Sequence, residues 1–216
     1  MKTEFGKAYF LTHKGCYSSE QVESIYPPQK ETVTLAELLE SDMPLADKFW
    51  FVIKMCELTN RQKQELVAGV ADIVLELYEN EYPTIQAPRE SIEAMKQYLS
   101  GAIALSELIS KRNKSKIFVS IALNDFNQGI IKQPIAKDAI LAVDVALKNT
   151  DVQELPFADQ TEYINNAGYI ATDSAVKSAI TFDASIKENS ESEARPGQVL
   201  FQDLLLDFLK EFIAST

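Results

Sequence analysis

Two helical patterns joined by a short proline-rich segment, between residues 59 and 101, constrain the fold more than any other feature. Thr59 is followed three residues later by Gln62, the spacing of a capping box, in which each side chain binds a backbone amide of the other residue. Apolar side chains then recur at intervals of three and four, which predicts one buried face of a helix running to about residue 79. The residues of this face are Leu66, Val70, Ile73 and Leu77.

Prolines and a glycine delimit the second helix of the pair. Pro83 is expected to end the first helix, because proline disfavours the helical conformation of the residue before it, Tyr82. Pro88 suits the first turn of the next helix, where its missing N–H group costs no hydrogen bond, and Gly101 is a suitable stop. A connection this short predicts that the two helices pack as an antiparallel pair.

Six acidic side chains surround the helical pair, and Arg89 is the only basic residue among them. The six are Asp72, Glu76, Glu79, Glu81, Glu90 and Glu93. They allow two interpretations: a negative patch that binds a cationic partner, where charge mainly accelerates association, or an ordinary solvated face. For Arg89 we expect a structural tie to a carboxylate or to a helix C-terminus.

Short motifs within this region match a known pattern. They are Tyr78-Glu79, Tyr82-Pro83, the run Pro88-Arg89-Glu90-Ser91-Ile92-Glu93-Ala94 and Tyr98-Leu99-Ser100-Gly101, with Gly15-Cys16 and Trp50 upstream. Through them, roughly residues 10 to 105 resemble a family of bacterial and phage proteins, the immunity proteins of polymorphic toxin systems. The chain departs from the family pattern at Thr84 and Ala87, where the family has Asp and Arg. The resemblance implies an all-helical fold and a toxin-neutralising role. We assign Trp50, Pro83, Pro88 and Arg89 to its structural motif.

The net charge of −11 and the pI near 4.7 narrow the classes of partner. An acidic protein approaches nucleic-acid phosphates against its own field, so a basic protein is the better partner. The alternative is that acidity serves only solubility. The sequence has no run of about 20 apolar residues, which a membrane span needs, and no N-terminal signal-peptide pattern. These features predict a soluble, cytoplasmic protein that binds neither membrane nor nucleic acid.

Catalytic and metal-binding residues are sparse. His13 and Cys16, three residues apart, can in principle act as base and nucleophile, but no third orienting group is identifiable. One histidine and the two distant cysteines, Cys16 and Cys56, give neither a zinc-ligand spacing nor a disulfide framework. No glycine-rich phosphate loop is present. We therefore predict a protein without catalytic activity, cofactor or metal.

The remaining chain also favours helices, so the predicted fold is an all-α single domain, either a helical bundle or an irregular helical stack. Residues 5–11 fit a helix or a strand, and we favour a helix. The basic run at 111–116 is expected to be a solvated turn. Residues 117–126 also fit either structure, and we favour a helix because a strand there lacks a pairing partner.

The C-terminal part is predicted to be a tethered helix. A helical domain over residues 1–186 is expected to be followed by a polar linker at 187–197 and an amphipathic helix at 198–216. The apolar face of that helix, from Leu200 to Ile213, docks either on its own core or on another subunit.

Three functional hypotheses follow from the sequence. The first is a non-enzymatic, protein-binding inhibitor of the immunity or anti-defence kind, which neutralises a basic toxin or effector. The second is a structural or scaffold protein, phage-related, that self-assembles into a homo-oligomer through the segment from Leu200 to Ile213. The third is an enzyme that uses Cys16.

Overall fold

The computed structural model describes residues 1–9, 18–25, 29–131, 134–150, 157–189 and 200–216. The fold is all-α, as predicted. The described residues also contain one small two-stranded sheet, which was not predicted. The strands are β1 (Glu4–Gly6) and β2 (Thr32–Thr34). The helices are α1 (Ser19–Ile25), α2 (Leu35–Glu40), α3 (Leu45–Met55), α4 (Asn60–Glu81), α5 (Ala87–Ser100), α6 (Leu105–Asn127), α7 (Ile135–Lys148), α8 (Phe157–Asn189) and α9 (Phe201–Ser215). Among the described helices, none is long and apolar enough to cross a membrane.

The sheet corrects the prediction of a first helix at residues 5–11. β1 pairs antiparallel with β2, so that Phe5 lies opposite Val33. The Phe5 ring is fully buried and meets the Phe51 ring edge-on, with 4.7 Å between their centroids. Only residues 7–9 are helical, and 10–17 lie outside the described residues. The strand forms by pairing with a segment that is distant in sequence, so local propensity does not reveal it.

The predicted helical pair is present as α4 and α5. Thr59 and Gln62 form both hydrogen bonds of the capping box, which confirms the predicted start of α4. The helix ends at Glu81, two residues beyond the predicted limit. Gly101 caps α5 with a φ of +82°, a left-handed conformation that glycine adopts without steric cost.

The basic run at 111–116 is helical, so the predicted turn there is wrong. It lies within α6, one continuous helix whose buried face passes straight through the run. Ser115 is buried on that face, while Lys111 reaches Glu90 of α5 with 2.9 Å between Nζ and Oε2. Long basic side chains can occupy the solvent side of a helix whose other side is packed. Residues 117–126 are helical, as predicted.

The core lies where α4, α7 and α8 pack on one another. Small side chains let these helices approach closely. An added Cβ at Gly168 of α8 would lie 3.3 Å from Val67 of α4 and 3.4 Å from Ile53 of α3. The buried alanines of the two later helices are Ala136, Ala139, Ala142 and Ala146 on α7, and Ala167, Ala171, Ala175 and Ala179 on α8.

Residues 187–189, which were predicted to begin the linker, are helical, because α8 continues through Asn189. Once a helix exists, each further residue adds a backbone hydrogen bond, so helices extend beyond their last buried side chain. Residues 190–199 lie outside the described part of the chain. α9 then packs on α3, α4 and α8, and its Leu205 and Leu209 are fully buried. The apolar face of this helix therefore docks largely within its own chain.

Candidate functional site

Arg89 ties the first turn of α5 to the exposed face of α4. Its Nε and Nη2 donate to the two carboxylate oxygens of Glu79, at 2.9 and 2.6 Å. Its Nη1 donates to Asp72 at 2.7 Å, and Lys96 binds the other oxygen of Asp72 at 2.8 Å. The hydrogen bonds that Arg89 donates to Glu79 raise the pKa of the Arg89 guanidinium above its ordinary value. Such a bidentate pair has a defined geometry, so it helps to orient the start of α5 on α4.

The six predicted acidic residues separate into two groups. Asp72, Glu79, Glu90 and Glu93 have cationic partners, since Lys111 pairs with Glu90 at 2.9 Å and Lys96 lies 3.5 Å from Glu93. The hydrogen bond from Lys111 lowers the pKa of Glu90. Glu76 and Glu81 are exposed, and within the described part of the chain neither has a cation within 4.0 Å. Neither carboxylate therefore forms an ion pair within the described part of the chain.

The end of α4 increases this local negative potential. The backbone carbonyls at a helix C-terminus carry about half a negative charge, which favours cations and disfavours carboxylates within the last turn. This turn holds Glu79 and Glu81 and has no basic residue of its own. Of these two carboxylates, Arg89 from the next helix pairs with Glu79 and not with Glu81. A cation from outside the chain would therefore be favoured beside Glu81.

Two depressions lie side by side at this end of α4. The acidic depression encloses about 510 Å³ and is lined by Glu76, Glu79, Asn80, Pro83, Gln86 and Arg89. The apolar depression encloses about 400 Å³ and is lined by Leu77, Asn80, Glu81, Ile130, Ile131, Ile135, Ala136 and Phe182. Asn80 belongs to both. Together they form a surface on which negative charge adjoins an apolar recess.

Hydrogen bonds hold the rim of the apolar depression in place. The Tyr82 hydroxyl donates to the Asp125 carboxylate at 2.8 Å, and the Tyr82 ring stacks on Tyr78 with 4.8 Å between centroids. The Asp125 carbonyl oxygen accepts from the backbone amides of Ile130 and Ile131, at 2.9 and 3.3 Å. Burial, and then the bond to Asp125, raises the pKa of the Tyr82 hydroxyl. It remains a proton donor at neutral pH, and Ile130 stays at the rim, 66% exposed.

Of the other residues predicted to be structural, Pro83 lines the acidic depression, whereas Pro88 and Trp50 line neither depression. Pro88 is buried in the first turn of α5, which begins one residue earlier at Ala87. Pro83 is exposed and follows Tyr82, the C-cap of α4. Trp50 lies on α3 and packs, partly buried, against the core. None of these three contributes a charge to the candidate site.

The catalytic alternative depends on two residues near the N-terminus. His13 and Cys16 lie outside the described residues. The other cysteine, Cys56, is fully buried, and burial raises the pKa of its thiol to about 12, so at neutral pH it is not a thiolate. Within the described ranges, no three His, Cys, Asp or Glu side chains are grouped so that they could hold a metal ion.

Sequence reasoning found the acidic residues but missed the apolar depression. Ile130 and Phe182 lie more than 50 positions away from Leu77, so no local pattern places them together. The sequence signal for this depression is the pair Ile130-Ile131 shortly before Pro134. Two bulky apolar residues beside a turn lie on no predicted helix face, which suggests an apolar surface.

Searches for similar proteins gave no further identification. No protein-family model matches the sequence, and neither the curated proteins nor the solved structures gave a significant match.

Proposed function

We propose that this chain is a non-enzymatic, protein-binding inhibitor that holds a basic toxin or effector at the end of α4. One observation carries the proposal: two carboxylates without an ion pair lie at the end of α4, Glu81 in the apolar depression of about 400 Å³ and Glu76 in the acidic depression beside it. Like the net charge of −11, this arrangement favours a cationic protein over a nucleic acid. The resemblance to immunity proteins covers the same helices and supports the same role.

The two parts of the surface have different tasks. The carboxylates accelerate encounter with a cationic surface, an effect that salt screens over about 10 Å at 0.1 M. The recess accepts an apolar side chain, whose burial mainly slows dissociation. Because Glu81 lines the recess, it also suits a lysine or arginine that buries its aliphatic stem and leaves its charge beside the carboxylate. The fitting partner segment thus presents a cation next to an apolar anchor.

Co-expression with candidate toxin genes cloned from the same genome tests this function. We expect the wild-type chain to restore growth against one of them and to form a stoichiometric complex with its product. The double substitution Glu76→Lys with Glu81→Lys should slow association at least tenfold and abolish protection. Its matched control is Glu23→Lys with Glu211→Lys, which makes the same charge change at exposed positions on α1 and α9.

If the wild-type chain binds none of these gene products, the inhibitor role is contradicted. Equal loss of binding in both double variants would show that total charge matters and the end of α4 does not. Association rates by surface plasmon resonance at two salt concentrations separate these outcomes.

A further inference from the structure

The outer face of α8 carries a regular row of exposed and partly exposed side chains that the proposed function does not use. The row, here called the α8 seam, comprises Asn166, Ile170, Asp173, Lys177, Ile180 and Ala184. Its spacings alternate between four and three residues, the interval of a coiled-coil contact line, and the row spans about 27 Å. Ile170 and Ile180 are each 47% exposed, whereas Ile164 and Val176 of the same helix are buried.

The α8 seam is symmetric about residue 175. Ile170 and Ile180 lie equally far on either side of it, as do Asp173 and Lys177. In an antiparallel pairing with a second copy, Ile170 of each chain meets Ile180 of the other. Asp173 of each chain likewise meets Lys177 of the other. A two-fold interface requires a self-complementary patch of this kind. If one residue of the first copy contacts another residue of the second copy, the same contact occurs with the copies exchanged.

Charge selects the antiparallel direction over the parallel one. In a parallel pair in register, Asp173 would face its own copy and Lys177 would face its own copy, which is repulsive. Within one chain, Asp173 and Lys177 already form an ion pair at 2.5 Å, with their side chains 24% and 62% exposed. In the antiparallel pair the four groups alternate in sign, and the isoleucines cover them on both sides.

We propose that α8 forms a two-fold homodimer by antiparallel pairing along the α8 seam. Tyr169, 37% exposed, flanks the seam and widens the contact. Asn166, at one end, accepts a hydrogen bond from Lys54 of α3 at 3.0 Å, so the seam has a polar boundary. Phe182, which lines the apolar depression, lies about 160° around the helix from Asn166. The dimer therefore leaves the proposed inhibitor surface open, and either proposal can fail without the other.

Sedimentation equilibrium of the full-length chain over the micromolar range tests the proposal. The wild type should have twice the chain mass of 24.2 kDa. Lys177→Asp places Asp173 opposite an aspartate and should weaken the dimer at least tenfold. The exchange Asp173→Lys with Lys177→Asp keeps both the net charge and the complementarity, and should restore the dimer. Lys116→Asp, at an exposed position of α6, is the control for charge alone.

Disulfide crosslinking reports the direction of the pair. The double variant Ile170→Cys with Ile180→Cys should crosslink into covalent dimers under oxidising conditions, while each single variant should not exceed the wild type. A wild type that stays at 24.2 kDa overturns the proposal and leaves the α8 seam to a helix of another protein. A dimer that Lys177→Asp does not weaken also overturns it, because the contact must then lie elsewhere.

Discussion

Two regions, the start of α5 and the helix α9, pack on α4 through different interactions. At the turn, Arg89 holds Glu79 and Asp72 through ion pairs whose side chains are 25–29% exposed. At α9, Leu205 and Leu209 are fully buried. Partly exposed ion pairs contribute little to stability, whereas each buried leucine contributes about 1.5–3 kcal/mol. The turn can therefore vary its charges for binding, while α9 cannot vary its apolar face.

A buried carboxylate strengthens the attachment of α9. Asp183 of α8 is 1% exposed and accepts hydrogen bonds from the backbone amides of Phe201 and Gln202, at 3.0 and 3.1 Å. These amides have no partner within α9, so a residue from another helix performs the task of an N-cap. Docking thus satisfies both the apolar face and the N-terminus of α9. Self-assembly through this face would require the helix to leave its own core.

The largest expected effect comes from removing a buried side chain of α9. Leu205→Ala should lower the free energy of unfolding by about 2–5 kcal/mol, because it removes apolar burial and leaves a cavity. Leu204→Ala is the matched control, since Leu204 is 38% exposed on the same helix. Urea denaturation followed by circular dichroism measures both. Similar losses for the two variants would contradict the docking of α9 described here.

A smaller effect is expected where α9 comes closest to α4. An added Cβ at Gly69 would lie 2.1 Å from Cζ of the Phe208 ring, so the ring must move. Gly69→Ala should cost about 1–3 kcal/mol of overpacking, partly offset by the helix propensity of alanine, about 1 kcal/mol. Adding Phe208→Ala should cancel the penalty, which a double-mutant cycle from thermal unfolding would show. Additive effects would mean that the two residues do not touch.

At the turn, the predicted loss is smaller again. Arg89→Ala removes the ion pairs to Glu79 and Asp72 and should lower the free energy of unfolding by about 1 kcal/mol. Arg89→Lys should recover part of this loss, since lysine keeps the charge but not the bidentate geometry. Denaturant unfolding at low and high salt measures the effect. A loss as large as that of Leu205→Ala would remove the contrast between the two regions.

The smallest effect should appear as a change in pH dependence. Lys111 lowers the pKa of Glu90 in the folded chain, so this pair stabilises the fold above the ordinary glutamate pKa of about 4.3. The contribution is lost as pH falls through the lower, folded value. Glu90→Gln should therefore unfold more easily than the wild type at pH 7 and equally at pH 2. A difference that persists at the lower pH would show that the ion pair is not its cause.

Local signals account for most of the helix boundaries that the sequence predicted. The capping box of Thr59 and Gln62 begins α4 as its spacing indicates, because both partners of a cap lie within four residues of each other. The failures involve distant partners. The strand at Phe5 depends on pairing with Val33. The basic run is helical because the opposite side of α6 is buried.

The candidate site was predictable in composition but not in arrangement. The sequence located all six acidic residues, yet Glu76 and Glu79, three positions apart on one helix, differ in their partners. That difference arises because Arg89 reaches Glu79 across a turn whose geometry no spacing rule specifies. Ile170 and Ile180 likewise lie in an alanine-rich run of the sequence, and only the folded chain shows that they are exposed.

By itself, the sequence determined the all-α class, the helical pair around Pro83 and Pro88, and the negative charge of that region. These features rest on hydrogen bonds and periodicities within one or two helical turns, which any fold of the chain must respect. Only the tertiary structure decided which carboxylates lack a cation, where an apolar recess adjoins them, and which face of α8 stays in solvent. Those properties depend on side chains that are distant in sequence, and packing alone brings them together.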